Sequence, residues 1–172
     1  MGIQINRLTN SNVYVDGANF LGRAEEISLP EIKFIMAEHK ALGMVGSAEF
    51  FAGFEKMESK IKWNALYPDV LKKAANPFKT VAIQARGSLE TYSDTGKVSE
   101  VAVVAHLRGT FKNLPMGNFK PKDNPEYETS MSVNYAKLVV DGEDIYEIDV
   151  LQNIYKVEGQ DLLADYRANI GA

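Results

Sequence analysis

Asp141-Gly142 stands between two β-rich runs, Leu138–Val140 and Glu143–Asp149, and no other feature constrains the fold so strongly. A two-residue type I′ turn needs φ > 0 at both central positions, and Asp-Gly between alternating apolar residues is a strong hairpin signal. The sequence beyond it predicts a second short strand and then an amphipathic helix from Asp161 to Gly171. A smaller hairpin is predicted earlier, with Val13–Val15 and Ala18–Leu21 about Asp16-Gly17.

The rest of the chain also alternates with a period of two. Glu25–Leu29 reads as a short strand closed by Pro30. Glu31–His39 puts Ile32, Phe34 and Met36 on one face and Glu31, Lys33 and His39 on the other. Met57, Ile61 and Trp63 point inward from the next run, with Glu58, Lys60 and Lys62 outward. Thr80–Leu89 sets Val81, Ile83 and Ala85 against Gln84, Arg86 and Ser88. Lys97–Phe111 sets Val101, Val103, Ala105 and Leu107 against Glu100, Ala102, Val104, His106 and Arg108. Ser130–Val140 is the last long strand. Pro68–Ala75 is the one convincing early helix, with Pro68 at its first position, Asp69 at its N-terminal end and Lys72 and Lys73 near its C-terminal end. Ala41–Ser47, with Gly43 and Gly46, reads as a loop, apolar through Leu42, Met44 and Val45, and the apolar character continues through Phe50, Phe51 and Phe54. Asn113–Thr129, with three prolines, reads as a long surface loop. The expectation is about nine strands and two short helices, a mainly β (α+β) chain of antiparallel hairpins, folded as a single domain over 1–172.

Composition narrows the chemistry. A net charge of −4 argues against a protein that grips phosphates by charge, and the absence of cysteine removes disulfides and thiolate metal sites. No apolar run suggests a signal peptide or membrane anchor, so a soluble protein made in the cytoplasm is expected. His39 and His106 sit on different predicted strands with no ligand-like neighbours. The acidic run Asp141–Asp149 fails as an EF-hand, because Ile145 and Tyr146 occupy the fifth and sixth positions. Glu147 and Asp149 share a strand face, but nothing in the sequence would raise one carboxyl for glycosidase chemistry. Gly43 and Gly46 lack the lysine of a phosphate loop. No enzyme, cofactor or metal site is expected.

The two ends of the chain carry a resemblance. Asp141-Gly142, Glu147-Ile148-Asp149, Gly159, Asp161, Leu163, Arg167 and Ile170-Gly171 resemble the C-terminal signature of the major tail tube proteins of contractile-tailed phages and R-type pyocins. Leu8–Asn12, Asp16-Gly17, Phe20, Gly22, Leu29-Pro30 and Gly43-Met44 agree with it. The chain departs at Glu158-Gly159, where the family often has Asn-Gly, and at its terminal Ala172. The resemblance implies an antiparallel β-sandwich or barrel-type tube fold, flanked by one helix and ended by another. It implies hexameric rings stacked into a hollow tube, with sheath, baseplate and tape-measure proteins as partners and DNA or ions passing through the lumen. The setting would be a virion tail or tail-like particle assembled in the host cytoplasm. On strand parity, Lys33, Glu58, Lys60, Lys62, Gln84, Arg86, Ser88, Glu100 and Arg108 are expected to face the lumen. The 41–54 loop, with Leu42, Gly43, Met44, Val45, Phe50, Phe51 and Phe54, is expected to dock on the next ring. The competing expectation is a self-contained β-barrel that binds a small apolar ligand.

Overall fold

The computed structural model describes residues 2–172, and twelve strands and two helices run through them. The strands are β1 (Ile5–Val15), β2 (Ala18–Asn19), β3 (Ala24–Ser28), β4 (Phe34–His39), β5 (Ala48–Phe54), β6 (Met57–Trp63), β7 (Val81–Ser93), β8 (Gly96–Phe111), β9 (Tyr127–Val140), β10 (Glu143–Asp149), β11 (Ile154–Val157) and β12 (Gln160–Asp161). The helices are α1 (Pro68–Ala74) and α2 (Ala164–Ile170). All pairings are antiparallel. Both Asp-Gly hairpins form as expected: Val15 opposes Ala18 about Asp16-Gly17, and Val140 opposes Glu143 about Asp141-Gly142. The aspartates have φ of 48° and 52° and the glycines 80° and 78°, so each turn is of the primed kind that follows the natural strand twist.

The main sheet runs β12-β11-β10-β9-β8-β7-β1-β2. A second branch leaves β9, whose first half (127–133) bonds to β6, while β10 bonds to its second half. β6 continues to β3, and β3 returns beside β1. The strands β9, β8, β7, β1, β3 and β6 therefore close round one core, with a narrow groove between Asn10–Val13 and Ala24–Ile27 at the seam. Trp63, Met57, Ile61, Ile83, Met131 and Val15 fill the interior, with Phe20 and the α1 residues Val70 and Ala74 packed among them. Burying each such side chain contributes roughly 1.5–3 kcal/mol. The indole N–H of Trp63 donates to the Thr129 hydroxyl at 3.0 Å, which satisfies both polar groups inside the barrel.

Several elements depart from the sequence reading. β5 was expected as part of a 41–54 loop. Instead Ala48–Phe54 pairs with β4 as a separate two-stranded arm, and only its 40–47 tip is loop. The aromatic run favours a strand once β4 offers a partner edge. The expected strand at Glu31 begins only at Phe34, and the first hairpin strand reaches back to Ile5 because its early half pairs with β7. The long loop covers 112–126, since Tyr127–Thr129 already pair with β6.

Candidate functional site: an ion-paired sheet face, two free edges and an apolar arm

The strand parities hold on β6, β7 and β8, though the barrel's curvature changes their meaning; the expected inward and outward faces of Glu31–His39 do not form, because all of β4 lies exposed on the arm. Eight of the nine expected lumen residues (Lys33 being the exception) point away from the core: Glu58, Lys60 and Lys62 on β6, Gln84, Arg86 and Ser88 on β7, Glu100 and Arg108 on β8. Lys33 precedes β4 on the arm side; its carbonyl accepts from the Glu55 N–H at 2.9 Å and its ammonium lies 3.8 Å from Glu31. β6 and β7 lie across the barrel from each other, separated by β9 and β8 one way round and by β3 and β1 the other. The Glu58-Lys60-Lys62 set and the Gln84-Arg86-Ser88 set therefore face opposite directions. Parity reports inside against outside and cannot choose one outer wall.

The outward face of the main sheet carries charged pairs both within and between its strands. Lys97 contacts Glu90 at 2.8 Å and Glu100 at 2.6 Å. Lys137 meets Asp144 at 2.8 Å, Arg108 meets Asp149 at 3.5 Å and Lys156 meets Glu147 at 3.7 Å. The register explains this: Glu90 lies opposite Glu100, and Lys137 opposite Glu147 with Lys156 beyond it. Hydrogen bonds from Lys97 and Ser88 hold the Glu100 carboxyl below the ordinary range, and those from Lys97 and Tyr92 do the same for Glu90. Burial, with help from Glu147, pushes the Tyr135 phenol up to about 12. Its O–H donates to Glu147 at 2.9 Å and the Arg108 guanidinium stacks 4.0 Å from its ring centre. Burial, with the charges of Lys137 and Arg86 nearby, pushes the His106 imidazole below its ordinary value. A shallow depression of about 420 Å³ lies here, lined by Tyr14, Gln84, His106, Arg108, Tyr135 and Lys137 among others. Among the described residues no group of three or more His, Asp or Glu could hold a metal ion.

Beyond the barrel, Ile5–Leu8, Leu89–Tyr92 and Lys97–Val101 continue as a three-stranded projection. Among the described residues, its two outer edges, early β1 and early β8, pair with nothing: β2 meets β1 only at Tyr14 and Val15, and β9 meets β8 only from Val103 onward. Sequence reading missed early β1, because Ile5–Ser11 is exposed on both faces and shows no alternation.

The arm is the second feature that lacks a cover. Phe34, Phe51 and Phe54 pack edge to face, and Phe54 reaches Tyr155 with ring centres 5.0 Å apart, which anchors the arm to the body. Toward the tip, Leu42 and Val45 are fully exposed and Phe50 is 60% exposed, with Gly43 and Met44 between them. The expected docking set thus divides into anchors at the base and free apolar residues at the tip.

The motif residues hold the C-terminal end together. Asp149 is buried and accepts from the Leu151 and Gln152 N–H groups at 3.1 and 3.2 Å. Glu158-Gly159 forms a third turn with φ of 50° and 80°. Arg167 binds Asp161, and Gly171 ends α2 in the left-handed conformation at φ 73°.

A filled barrel with unpaired strand edges and an uncovered apolar arm defines a self-associating structural subunit. The chain belongs to the family described as phage tail tube protein FII, whose model matches residues 5–171. It is 31% identical over 169 residues to the tail tube protein of Escherichia phage P2, covering 96% of each chain. It is 26% identical over 156 residues to the major tail tube protein of Serratia phage KSP20, covering 89% of this chain and 88% of that one. In fold it is similar to a chain of the PVC sheath–tube complex of an extracellular contractile injection system in its extended state. The TM-score is 0.56 at 10% identity, over 75% of this chain and 87% of that chain.

Proposed function

We propose that residues 1–172 act as one tail tube domain, six copies of which close into a ring, with rings stacked into the hollow inner tube of a contractile tail. The observation that carries this is the projection with free edges on both β1 and β8. An exposed strand edge is a template for pairing, and a ring removes both edges at once by joining one copy's β8 side to the next copy's β1 side. In this reading the outward face of the main sheet, with Gln84, Arg86, Ser88, Glu100 and Arg108, lines the lumen. Glu58, Lys60 and Lys62 then belong to another wall of the subunit. The arm docks on the neighbouring ring through Leu42, Met44, Val45 and Phe50. Tail sheath, baseplate and tape-measure proteins are the further partners, DNA or ions pass through the lumen, and assembly takes place in the host cytoplasm. The role is structural, with no cofactor.

Size-exclusion chromatography with light scattering, followed by negative-stain microscopy, tests this. Rings or tubes are the expected result. A monodisperse monomer at high concentration would overturn it and favour the ligand-binding barrel, against which the filled interior already weighs.

A further inference from the structure

Resting on the ring reading above, we infer that Arg7 of one copy closes on Glu100 of the next, an ion pair that dictates which free edges of the projection may join. Arg7 is the single charged residue of β1. It lies opposite Glu90, which lies opposite Glu100, so the three form one row across the outward face of the projection. Glu90 is already engaged: it binds the Lys97 ammonium at 2.8 Å and accepts from the Tyr92 O–H at 2.7 Å. Arg7 is left exposed, and among the described residues it forms no ion pair.

The other edge carries the complement. Glu100 is exposed; its Oε1 accepts from the Ser88 hydroxyl at 2.5 Å and its Oε2 from Lys97 at 2.6 Å. A carboxylate has lone pairs for about four donors, so a guanidinium can still be received. Two carboxylates and one ammonium leave the Glu90-Lys97-Glu100 cluster one negative charge, and Arg7 supplies one positive charge at the opposite edge. Strands lie about 4.8 Å apart, so within one copy Arg7 and Glu100 stand about 10 Å apart at the ends of their row. Where the sheet runs on from β8 into the next copy, that copy's Arg7 comes one spacing, about 5 Å, from Glu100. The exposed apolar residues point to the same occupant. Ile5 and Leu8 on β1 and Val98 on β8 are each more than half exposed, and continuing the sheet covers them. Neither edge carries a proline that would blunt it. The charges also act against the wrong joints. Pairing β1 with β1 sets arginine against arginine, and pairing β8 with β8 sets one acidic cluster against another. Only the head-to-tail joint, which closes a ring, brings opposite charges together.

Charge reversal tests the pair. Arg7→Glu and Glu100→Arg lie at exposed positions, and circular dichroism should find both folded. Each alone should raise the concentration at which light scattering and negative-stain microscopy detect rings by about tenfold. Lys120→Glu, which makes the charge change of Arg7→Glu in the 112–126 loop, should not. An equal mixture of the two reversed variants should recover rings, because every joint of an alternating ring again sets opposite charges together, and native mass spectrometry should find equal numbers of each. Should a reversed variant not fold, Arg7→Gln takes its place: its ring formation should lose most of the parent's dependence on salt. Rings from Arg7→Glu at the parent's concentration, a mixture no better than its components, or an unchanged salt dependence in Arg7→Gln would overturn the pair and leave the ring standing. A parent that forms no rings would remove both.

Discussion

The Arg167 guanidinium closes on the Asp161 carboxylate, and its Nη1 also donates to the Asn153 carbonyl at 2.8 Å. One side chain thus joins β12, the turn after β10 and α2. The Arg167 hydrogen bond is the main reason the Asp161 carboxyl lies below its ordinary value; burial opposes it and the Leu163 N–H adds to it. α2 has seven residues and buries none of them, far short of the about 12–15 that a helix needs to stand alone. Arg167→Ala should leave the barrel intact and release the helix, with amide exchange over 164–171 speeding by an order of magnitude or so. Arg167→Lys should rescue little, because an ammonium cannot reproduce the forked contact. Unchanged protection in Arg167→Ala would show that α2 is held by something else.

Asp16 performs a similar task at the other end. Its Oδ1 accepts from the Ala82 N–H at 2.9 Å, and its other oxygen binds the Lys73 ammonium of α1. Burial pushes its carboxyl up, but the Lys73 hydrogen bond, the Ala82 N–H and the charges of Lys73 and Lys79 together bring it below the ordinary value. A carboxyl lowered on folding adds stability above its unfolded value and loses it as pH falls through the folded one. Asp16→Ala should therefore cost about 2 kcal/mol at pH 7, or roughly 4–8 °C in Tm. The gap between parent and variant should shrink below about pH 4. A gap that persists at pH 2 would assign the loss to packing.

The two Asp-Gly turns and the in-out parity of the long strands were legible because each depends on residues close in sequence. The closure of the barrel was not, since β6 meets β9 across more than sixty residues and no local pattern encodes which side of a cylinder a strand occupies. Early β1 was hidden for a related reason. Its pairing with β7 is long-range, and its Asn- and Thr-rich residues face solvent on both sides, so no hydrophobic period marks it. The ion-paired face was half visible: Glu100 and Arg108 stood out by parity, but Lys97 joins Glu100 on one face only through a bulge near Tyr92, and Asp149 meets Arg108 only because both lie opposite Tyr135 on β9.

Gly109 marks where the two branches part. Between Arg108 and Gly109 the β8–β9 register slips, with Arg108 opposite Tyr135 and Gly109 opposite Val133. A Cβ on Gly109 would lie 1.9 Å from the Ser132 carbonyl oxygen, a backbone atom that cannot rotate away. Gly109→Ala should destabilise by about 3 kcal/mol or more and lower the yield of soluble protein. Gly46→Ala in the arm tip, where a Cβ meets nothing within 4 Å, should shift Tm by no more than about 1–2 °C. Similar thermal melts for both variants would mean that the bulge is free to relax.

The arm tip offers a cleaner separation of folding from assembly. Leu42 and Val45 have no neighbours to lose in the isolated subunit, so Leu42→Glu or Val45→Glu should change its stability by no more than about 0.5 kcal/mol. In the stacked tube the same charges would be buried unpaired, at a cost of several kcal/mol per contact, repeated at every subunit. Folded protein that gives short rings or none by negative-stain microscopy is expected. Long tubes from either variant would remove the arm from the stacking interface.

The absence of cysteine makes single-cysteine labelling a direct test of which wall is the lumen. Arg86→Cys and Lys60→Cys lie on exposed, outward positions of opposite sides of the barrel. In free subunits both should react with a bulky maleimide at similar rates. In assembled tubes without sheath, the Arg86 position should be protected, since the reagent can enter only at the ends, while the Lys60 position should lie outside the lumen. A small maleimide able to diffuse along the bore should recover labelling at position 86, which separates a wet lumen from a packed interface. Protection at 60 against the bulky reagent that the small one relieves, with free labelling at 86, would place the lumen on the β6 branch instead. Protection of both against either reagent would bury them between subunits, and the ion-paired face would then be a contact surface rather than a channel wall.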